Sequence, residues 1–231
     1  MPSNITSKVS CIIPAYNEES RIENVLRAVL SHPLISEIIV IDDGSQDNTK
    51  DIVKKFQAVQ LFVNEKNMGK SYTIARGIRE AKQDIILLLD ADLIGLLEKN
   101  ITDLIEPVIS GRADMSISLR QNAVWFYRKI GLDLVSGERV FYKKLVERDL
   151  EKIQNLFGYG LETCYFNKLI IKNKYRIKIV FWDNVSFVWK QQKDFWSGWK
   201  LDIIMNFKIA RKLYFFGVPY QIIRMLLLKV K

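Results

Sequence analysis

Residues Asp84–Leu93 read DIILLLDADL. An apolar run, Ile85–Leu89, passes directly into two carboxylates one residue apart, Asp90 and Asp92. This predicts a strand buried on both faces that ends in a polar turn. Three similar runs lie upstream: Val9–Ile13 (VSCII), stopped by Pro14; Glu37–Ile41 (EIIVI), ended by Asp42-Asp43-Gly44-Ser45; and Val59–Val63. Helical spacing fills the gaps. Ile22, Val25, Leu26, Val29 and Leu30 mark a helix from Glu18 to about Leu30, Asp47–Phe56 a second with Asp47 or Ser45 as its cap, and Ser71–Ala81 a third. Strands and helices in alternation, with strands apolar on both faces, argue for an α/β fold: a mainly parallel sheet flanked by helices. Such sheets bind ligands at the carboxyl ends of their strands. The polar clusters PAYNEE, DDGSQDNT, NEKNMGK and DAD fall at those ends, so they are expected to converge on one crevice.

The second half is less regular. Asp114–Ser118, Glu138–Tyr142 and Tyr175–Phe181 read as strands, and Leu161–Ile171 and Phe195–Leu213 as helices. With no repeat and no Pro/Gly/Ser-rich linker, residues 1–200 are expected to form one domain and 201–231 a basic amphipathic extension.

Composition narrows the class. A 231-residue chain that is 48% hydrophobic buries a sizeable core and is not a disordered chain. No run approaches the ~18 apolar residues of a membrane span. Two cysteines, Cys11 and Cys164, make no disulfide framework, which suits a reducing compartment. The N-terminus lacks a basic segment followed by an apolar one, so no signal peptide is expected and a cytoplasmic location is. The net charge of +9 is uneven: residues from Thr163 onward carry fourteen basic and three acidic side chains. A basic C-terminal third suits nucleic acid, an anionic membrane or a phosphorylated substrate, or is simply a solvated lysine-rich surface.

Residue chemistry narrows it further. Asp90 and Asp92 leave the strand close enough to share a hard cation such as Mg²⁺ or Mn²⁺ with substrate phosphates, although a solvated turn has the same spacing. A carboxylate at Asp42 or Asp43 can accept hydrogen bonds from a ribose or a base, or simply cap a helix. Lys70, after Met68-Gly69, stands where a helix N-terminus and an ammonium together hold phosphate. Neither a P-loop nor a G-x-G-x-x-G dinucleotide fingerprint is present.

Taken together, IIPAYNEE (Ile12–Glu19), VIDDGSQDNT (Val40–Thr49), NMGKSYTIARGI (Asn67–Ile78) and LLLDADL (Leu87–Leu93) resemble the glycosyltransferases of the GT-A fold, in particular family 2. The resemblance implies a nucleotide-diphosphate sugar (UDP- or GDP-sugar) as donor. It places Pro14, Ala15, Tyr16, Glu18, Asp42, Asp43, Lys70, Asp90 and Ala91 around that donor, and Asp90 and Asp92 on the metal. Downstream, SGERVF (Ser136–Phe141) and GYGLE (Gly158–Glu162) resemble acceptor-side segments, with Glu162 in the place of a catalytic base or acceptor contact. A base is needed only for a hydroxyl acceptor, because a phosphate monoester is already ionised near neutral pH.

Part of the chain resembles the polyprenyl-phosphate (dolichyl-phosphate) mannose and glucose synthases. That branch implies a lipid-phosphate acceptor contacted by Arg120, with Arg128, Lys129 and Arg139 nearby. Two positions depart from it. Ile94 stands where the branch carries a metal-ligating glutamine, and VSFVWK (Val185–Lys190) where relatives carry a histidine. The single histidine, His32, lies before the second strand and is expected to be far from the site. GKSYTIARGI and LLLDADLIGL also resemble GT-A enzymes that glycosylate a soluble phosphoglycerate-like acid, and a polysaccharide acceptor is a further alternative.

The segment Phe207–Lys231 mixes aromatic and aliphatic residues with lysines and arginines around Gly217 and Pro219. It suits two short helices in a membrane interface, with Trp182, Trp189, Trp196 and Trp199 as anchors, or a helical pair packed on the domain. The leading expectation is a transferase peripheral on the cytosolic face of a membrane. A nucleic-acid-binding protein would leave the four strand-end clusters without a role, so no nucleic-acid partner is expected. The sugar, the base, the stereochemical outcome and the oligomeric state stay open.

Overall fold

The four apolar runs of the first half become four parallel strands in the computed structural model, which describes residues 8–156, 160–187 and 217–230. They are β1 (Val9–Ala15), β2 (Ile35–Asp42), β3 (Val59–Val63) and β4 (Ile85–Leu88), joined by α1 (Ile22–Leu30), α2 (Thr49–Lys54) and α3 (Lys70–Glu80). Next come β5 (Leu93–Ile94), α4 (Glu98–Ile109), β6 (Met115–Arg120), α5 (Trp125–Ile130), β7 (Arg139–Tyr142) and α6 (Leu150–Gln154). A π-helical segment (Gly160–Phe166) then runs into α7 (Asn167–Asn173), followed by β8 (Ile177–Trp182), β9 (Ser186–Phe187) and α8 (Gly217–Leu226).

The main sheet has the order β3-β2-β1-β4-β7-β6-β8, with only β7 antiparallel to its neighbours. β5 and β9 form a separate two-stranded ribbon. Alternate side chains of the central strands feed two cores, which is why these strands are apolar on both faces. Cys11, Ile13, Val40 and Leu87 meet α1 and α4 on one side. Ile12, Ile39, Ile41 and Leu88 meet α3, the π-helical segment and α8 on the other.

Pro14 does not end β1, contrary to expectation. In β1 the Ile12 carbonyl accepts from Leu89 N–H on the β4 side, and the Ala15 carbonyl accepts from Asp43 N–H on the β2 side. Pro14 therefore faces β4 at the level where that strand has already ended at Leu88, and the donor it lacks is not missed. Asp47 does organise the start of α2, accepting from the Thr49 N–H at 3.0 Å, although the regular helix is shorter than its pattern.

Trp182 is fully buried and serves the core, which corrects its expected role as an interfacial anchor. The other three anchors and the helix expected over Phe195–Leu213 lie outside the described residues. Of the C-terminal segment, α8 packs on the domain: Gln221 and Met225 are buried, and the Val230 N–H donates to the Ile177 carbonyl at 2.9 Å. Among the described residues no helix is long and apolar enough to cross a membrane.

Candidate active site

Three of the four polar clusters are laced together by backbone N–H groups. In the β1–α1 loop the Asn17 N–H donates to Ser45 Oγ (2.9 Å) and the Glu18 N–H to Thr49 Oγ1 (2.8 Å), while the Gln46 N–H donates back to Asn17 Oδ1 (2.9 Å). Gly44 makes the turn at φ +74°, and a Cβ there would lie 2.8 Å from the Lys66 backbone. Asp43 is the hub. Its Oδ1 accepts from Asn64 Nδ2 (2.7 Å) and the Met68 N–H (2.9 Å), and its Oδ2 from the Gly69 N–H (2.8 Å). This carboxylate fixes the loop that leads into α3. Its neighbour Asp42 accepts from the Ser45 N–H at 3.0 Å through Oδ2, while the buried Oδ1 has no partner among the described residues. Around this frame Pro14 and Ala15 form the end of β1, Tyr16 is exposed at the lip, and Glu18 is tied to Arg21 at 2.6 Å.

The end of β4 carries the charges. Lys70, the first residue of α3, points its Nζ at Asp90 Oδ1 (2.7 Å) and at Glu162 Oε1 (3.6 Å). Burial opposes both charges of the Lys70–Asp90 pair. Lys70 and Arg120 nevertheless hold the Asp90 carboxyl below the usual range, and Asp90 and Glu162 hold the ammonium above its own. Asp92 differs. Among the described residues it has no hydrogen bond or ion pair, and burial, Asp90 and Glu18 push its carboxyl up to about 6. Ala91, between them, is buried.

The opposite wall comes from β6, β7 and the π-helical segment. Arg120 Nη1 bonds Glu138 Oε1 at 2.9 Å and lies 3.9 Å from Asp90 Oδ2. Glu138 is fully buried; its Oε2 accepts from Ser118 Oγ (2.7 Å) and Ser136 Oγ (2.9 Å). Arg139 is buried too, donating to the Ser136 carbonyl and lying over the Phe166 ring with Cζ 4.4 Å from its centroid. Glu162 lies in the π-helical segment with Oε2 buried and, among the described residues, without a hydrogen-bond partner. Burial raises its pKa, only partly offset by Lys70 and Arg139. Gly137 passes so close that a Cβ would meet Lys70 Nζ at 2.7 Å and Asp90 Oδ2 at 2.8 Å.

The structure therefore gathers Lys70, Asp90, Asp92, Arg120, Arg139 and Glu162 around the end of β4. It does not bring Arg128 and Lys129 into that cluster. Arg128 sits one step outward on α5, donating to the Arg120 carbonyl (2.9 Å) and to Asp183 (2.7 Å), and Lys129 faces solvent. His32 bonds Thr102 Oγ1 at 3.0 Å, in the loop before β2 and away from the strand ends. Ser136 and Glu138, within the expected acceptor-side segment, belong to the wall though no role was assigned to them, and so do Ser118 and the buried Asp133, whose carboxyl burial also raises, which were not singled out from sequence. A signal for them exists: Ser116, Ser118 and Arg120 alternate with Met115, Ile117 and Leu119, a polar row inside a fully buried strand.

The model of the family described as "Glycosyl transferase family 2" matches residues 10–172, which include all of these groups. The chain belongs to glycosyl transferase family 2. This family-2 chain is 27% identical to a dolichyl-phosphate beta-glucosyltransferase of Trichomonas vaginalis, over 93% of the chain and 74% of that protein. It is 34% identical to a dolichol-phosphate mannosyltransferase of Pyrococcus furiosus, over 61% of the chain but only 38% of that protein. Several other relatives are likewise matched over less than two thirds of their length. Among solved structures, glucosyl-3-phosphoglycerate synthase of Mycobacterium tuberculosis, in complex with Mn²⁺ and UDP-glucose, superimposes with a TM-score of 0.66 at 20% identity. That superposition covers 88% of this chain and 79% of the synthase, and it establishes the shared GT-A architecture.

Proposed function

We propose that this family-2 glycosyltransferase moves a sugar from a nucleoside-diphosphate donor to a lipid-linked phosphate at the cytosolic face of a membrane, with residues 1–200 as the catalytic domain and 201–231 as an extension. The observation that carries the donor half is the imbalance at the end of β4. Arg120 is matched by Glu138, Lys70 by Asp90, and Arg139 faces Glu162, while Asp92 makes no ion pair among the described residues, and the attraction of Lys70 does not offset burial and the charges of Asp90 and Glu18. Buried charges persist when they are paired, so an unpaired one at a crevice calls for a cation. Two carboxylates offer the hard oxygen donors that Mg²⁺ or Mn²⁺ prefers. Asp90 and Asp92 are the residues that would hold such an ion, whose chemistry is to neutralise the charge collecting on the leaving diphosphate. Among the described residues no third acidic, histidine or cysteine side chain joins them.

The other residues act without the metal. Tyr16 and the β1–α1 and β2–α2 loops frame the place of the base and ribose, and Asp43 holds the Met68-Gly69 turn that presents Lys70. Lys70 is positioned to exchange its contact with Asp90 for a donor phosphate oxygen, adding positive charge where the leaving group develops negative charge. Arg120, braced by Glu138, keeps Asp90 ionised. A phosphate acceptor needs no proton removed. Glu162 then serves to orient Lys70 and the acceptor, whereas with a hydroxyl acceptor it would be the base. Support for the lipid acceptor is the similarity over 93% of the chain to a protein named dolichyl-phosphate beta-glucosyltransferase.

The test is to incubate purified protein with Mn²⁺ or Mg²⁺ and labelled UDP- and GDP-sugars, offering polyprenyl-phosphate vesicles or a pool of soluble acids. Label that enters the organic phase and is released by mild acid supports this reading. Label remaining in water as a new anionic sugar replaces it with a soluble phosphorylated acceptor.

A further inference from the structure

The short helix α5 follows Arg120 at the crevice rim; Tyr127 and Ile130 pack partly on the core, and none of its residues is fully buried. Trp125 is 72% exposed, and Val124 and Phe126 beside it are exposed as well. Gly131, which ends α5, is tied to the C-terminal segment: Lys229 Nζ donates to its carbonyl at 2.9 Å, and the exposed ring of Phe181 on β8 lies alongside. From there α8 continues the surface. It fastens inward through Gln221 Nε2 on the Thr163 carbonyl (2.9 Å), while Tyr220, Ile223 and Leu227 emerge as one stripe, up to 74% exposed. Between α8 and α7 runs a groove of about 360 Å³ flanked by Lys168 and Lys172.

Single exposed apolar residues are ordinary, but a run of large ones across adjoining elements marks a contact surface. Its charge identifies the partner. Segments 121–131, 167–182 and 217–230 contain nine basic residues and no acidic one. Two of the nine are paired with acids from outside, Arg128 with Asp183 and Arg176 with Asp114. A surface this one-sided repels a second copy of itself across a two-fold axis. Ile223 and Leu227 offer no plane on which nucleic-acid bases stack. Aromatic side chains with aliphatic ones and surrounding cations are what the headgroup region of an anionic bilayer accommodates.

We propose that α5, Phe181 of β8 and α8 form the face by which this protein rests on an anionic lipid bilayer, with Trp125 and Phe126 in the headgroup layer. The proposal deepens the lipid-acceptor reading and rests on it for its purpose: α5 leaves the strand that carries Arg120, so docking there brings the crevice mouth to the level of lipid phosphates.

The experiment is flotation of the full chain with phosphatidylcholine vesicles, with and without 30 mol% phosphatidylglycerol (on the order of a cytoplasmic leaflet's anionic share), and containing no glycosyl acceptor. The wild-type protein is expected to float with the anionic vesicles and to be released by salt. The Trp125→Asp, Phe126→Asp double variant is expected to lose about tenfold or more of the bound fraction, and Ile223→Asp, Leu227→Asp a smaller part. Lys54→Glu, on α2 away from this face, is expected to float as wild type. UDP binding checks that each variant is folded, with Trp125→Ser as the milder substitute. Wild-type protein that stays at the bottom overturns the proposal, whatever the variants do. So does a Trp125, Phe126 variant that floats undiminished, or one whose only change is from dimer to monomer. Because these vesicles contain no acceptor, a chain that floats yet leaves its labelled product in water keeps this surface and loses only the lipid acceptor.

Discussion

The two walls of the crevice are built differently. The wall at the ends of β1–β3, proposed above as the donor wall, is held mainly by neutral backbone donors closing on side-chain oxygens within neighbouring loops. Asp43 alone accepts two such bonds, from Met68 and Gly69, and a third from the side-chain amide of Asn64. The opposite wall, proposed above to face the acceptor, is held by buried charges on β6, β7 and the π-helical segment, with Arg120–Glu138 at its centre and the Lys70–Asp90 pair beside it at the end of β4. The first kind of wall follows from local turns. The second exists only once distant strands are neighbours, and each of its charges depends on another to be tolerated away from water.

If that contrast is right, the acceptor wall should fail hardest. Glu138→Leu leaves Arg120 buried beside no carboxylate of its own, and urea denaturation should show a loss of about 3–5 kcal/mol. A loss below about 1 kcal/mol would mean that the wall is held by packing instead. Asp92→Asn should lower turnover by about 10²–10³-fold while making the protein more stable. The Asp92 carboxyl titrates near 6 in the fold against an ordinary 3.8, so its charge costs stability above pH 6 and the cost vanishes below the ordinary value. The thermal gain of the asparagine variant should therefore be full at pH 7–8 and absent in more acidic buffer (below about pH 4).

Asp43→Ala strands the Met68 and Gly69 N–H groups and should cost about 2–3 kcal/mol, raising the donor KM more than it lowers kcat. Gln221→Ala should cost about 1 kcal/mol. It removes a bond from α8 to the segment carrying Glu162, so the acceptor KM should move while UDP affinity, measured by calorimetry, stays put. The smallest effect concerns pH. The kcat/KM profile should fall on the acid side as Asp92 takes up a proton in competition with the metal, and Glu18→Gln should shift that limb to lower pH by less than about one unit, since Glu18 is one of the charges raising Asp92. An unmoved limb would assign it to another group.

The same contrast governs what could be read from the sequence. β3 was legible to the residue, and the strand-end clusters of the donor wall were legible because each follows an apolar run and contains its own turn chemistry. Asp90 and Asp92 stood out for the same reason. Ser118 did not, and the roles of Glu138 and Ser136 could not be read even though their segment was noted, because their meaning lies in a mutual contact between β6 and β7 that no local pattern encodes. The helical pattern over Leu161–Ile171 was visible, but not that its first part is a π-helix. Trp182 misled because a tryptophan near a basic segment has the composition of an interfacial anchor whether it faces lipid or core.

Pro14 offers a last consequence. In a parallel pair the next rung after Ile12 would run from the nitrogen of residue 14 to the Leu89 carbonyl, and proline has no hydrogen to give. The zipping of β1 onto β4 therefore halts one residue short of Asp90. Any ordinary amino acid at that position would let the two strands close a step further, drawing the aspartates into the ladder. One missing proton thus marks the point at which the scaffold ends and the chain is released to do chemistry.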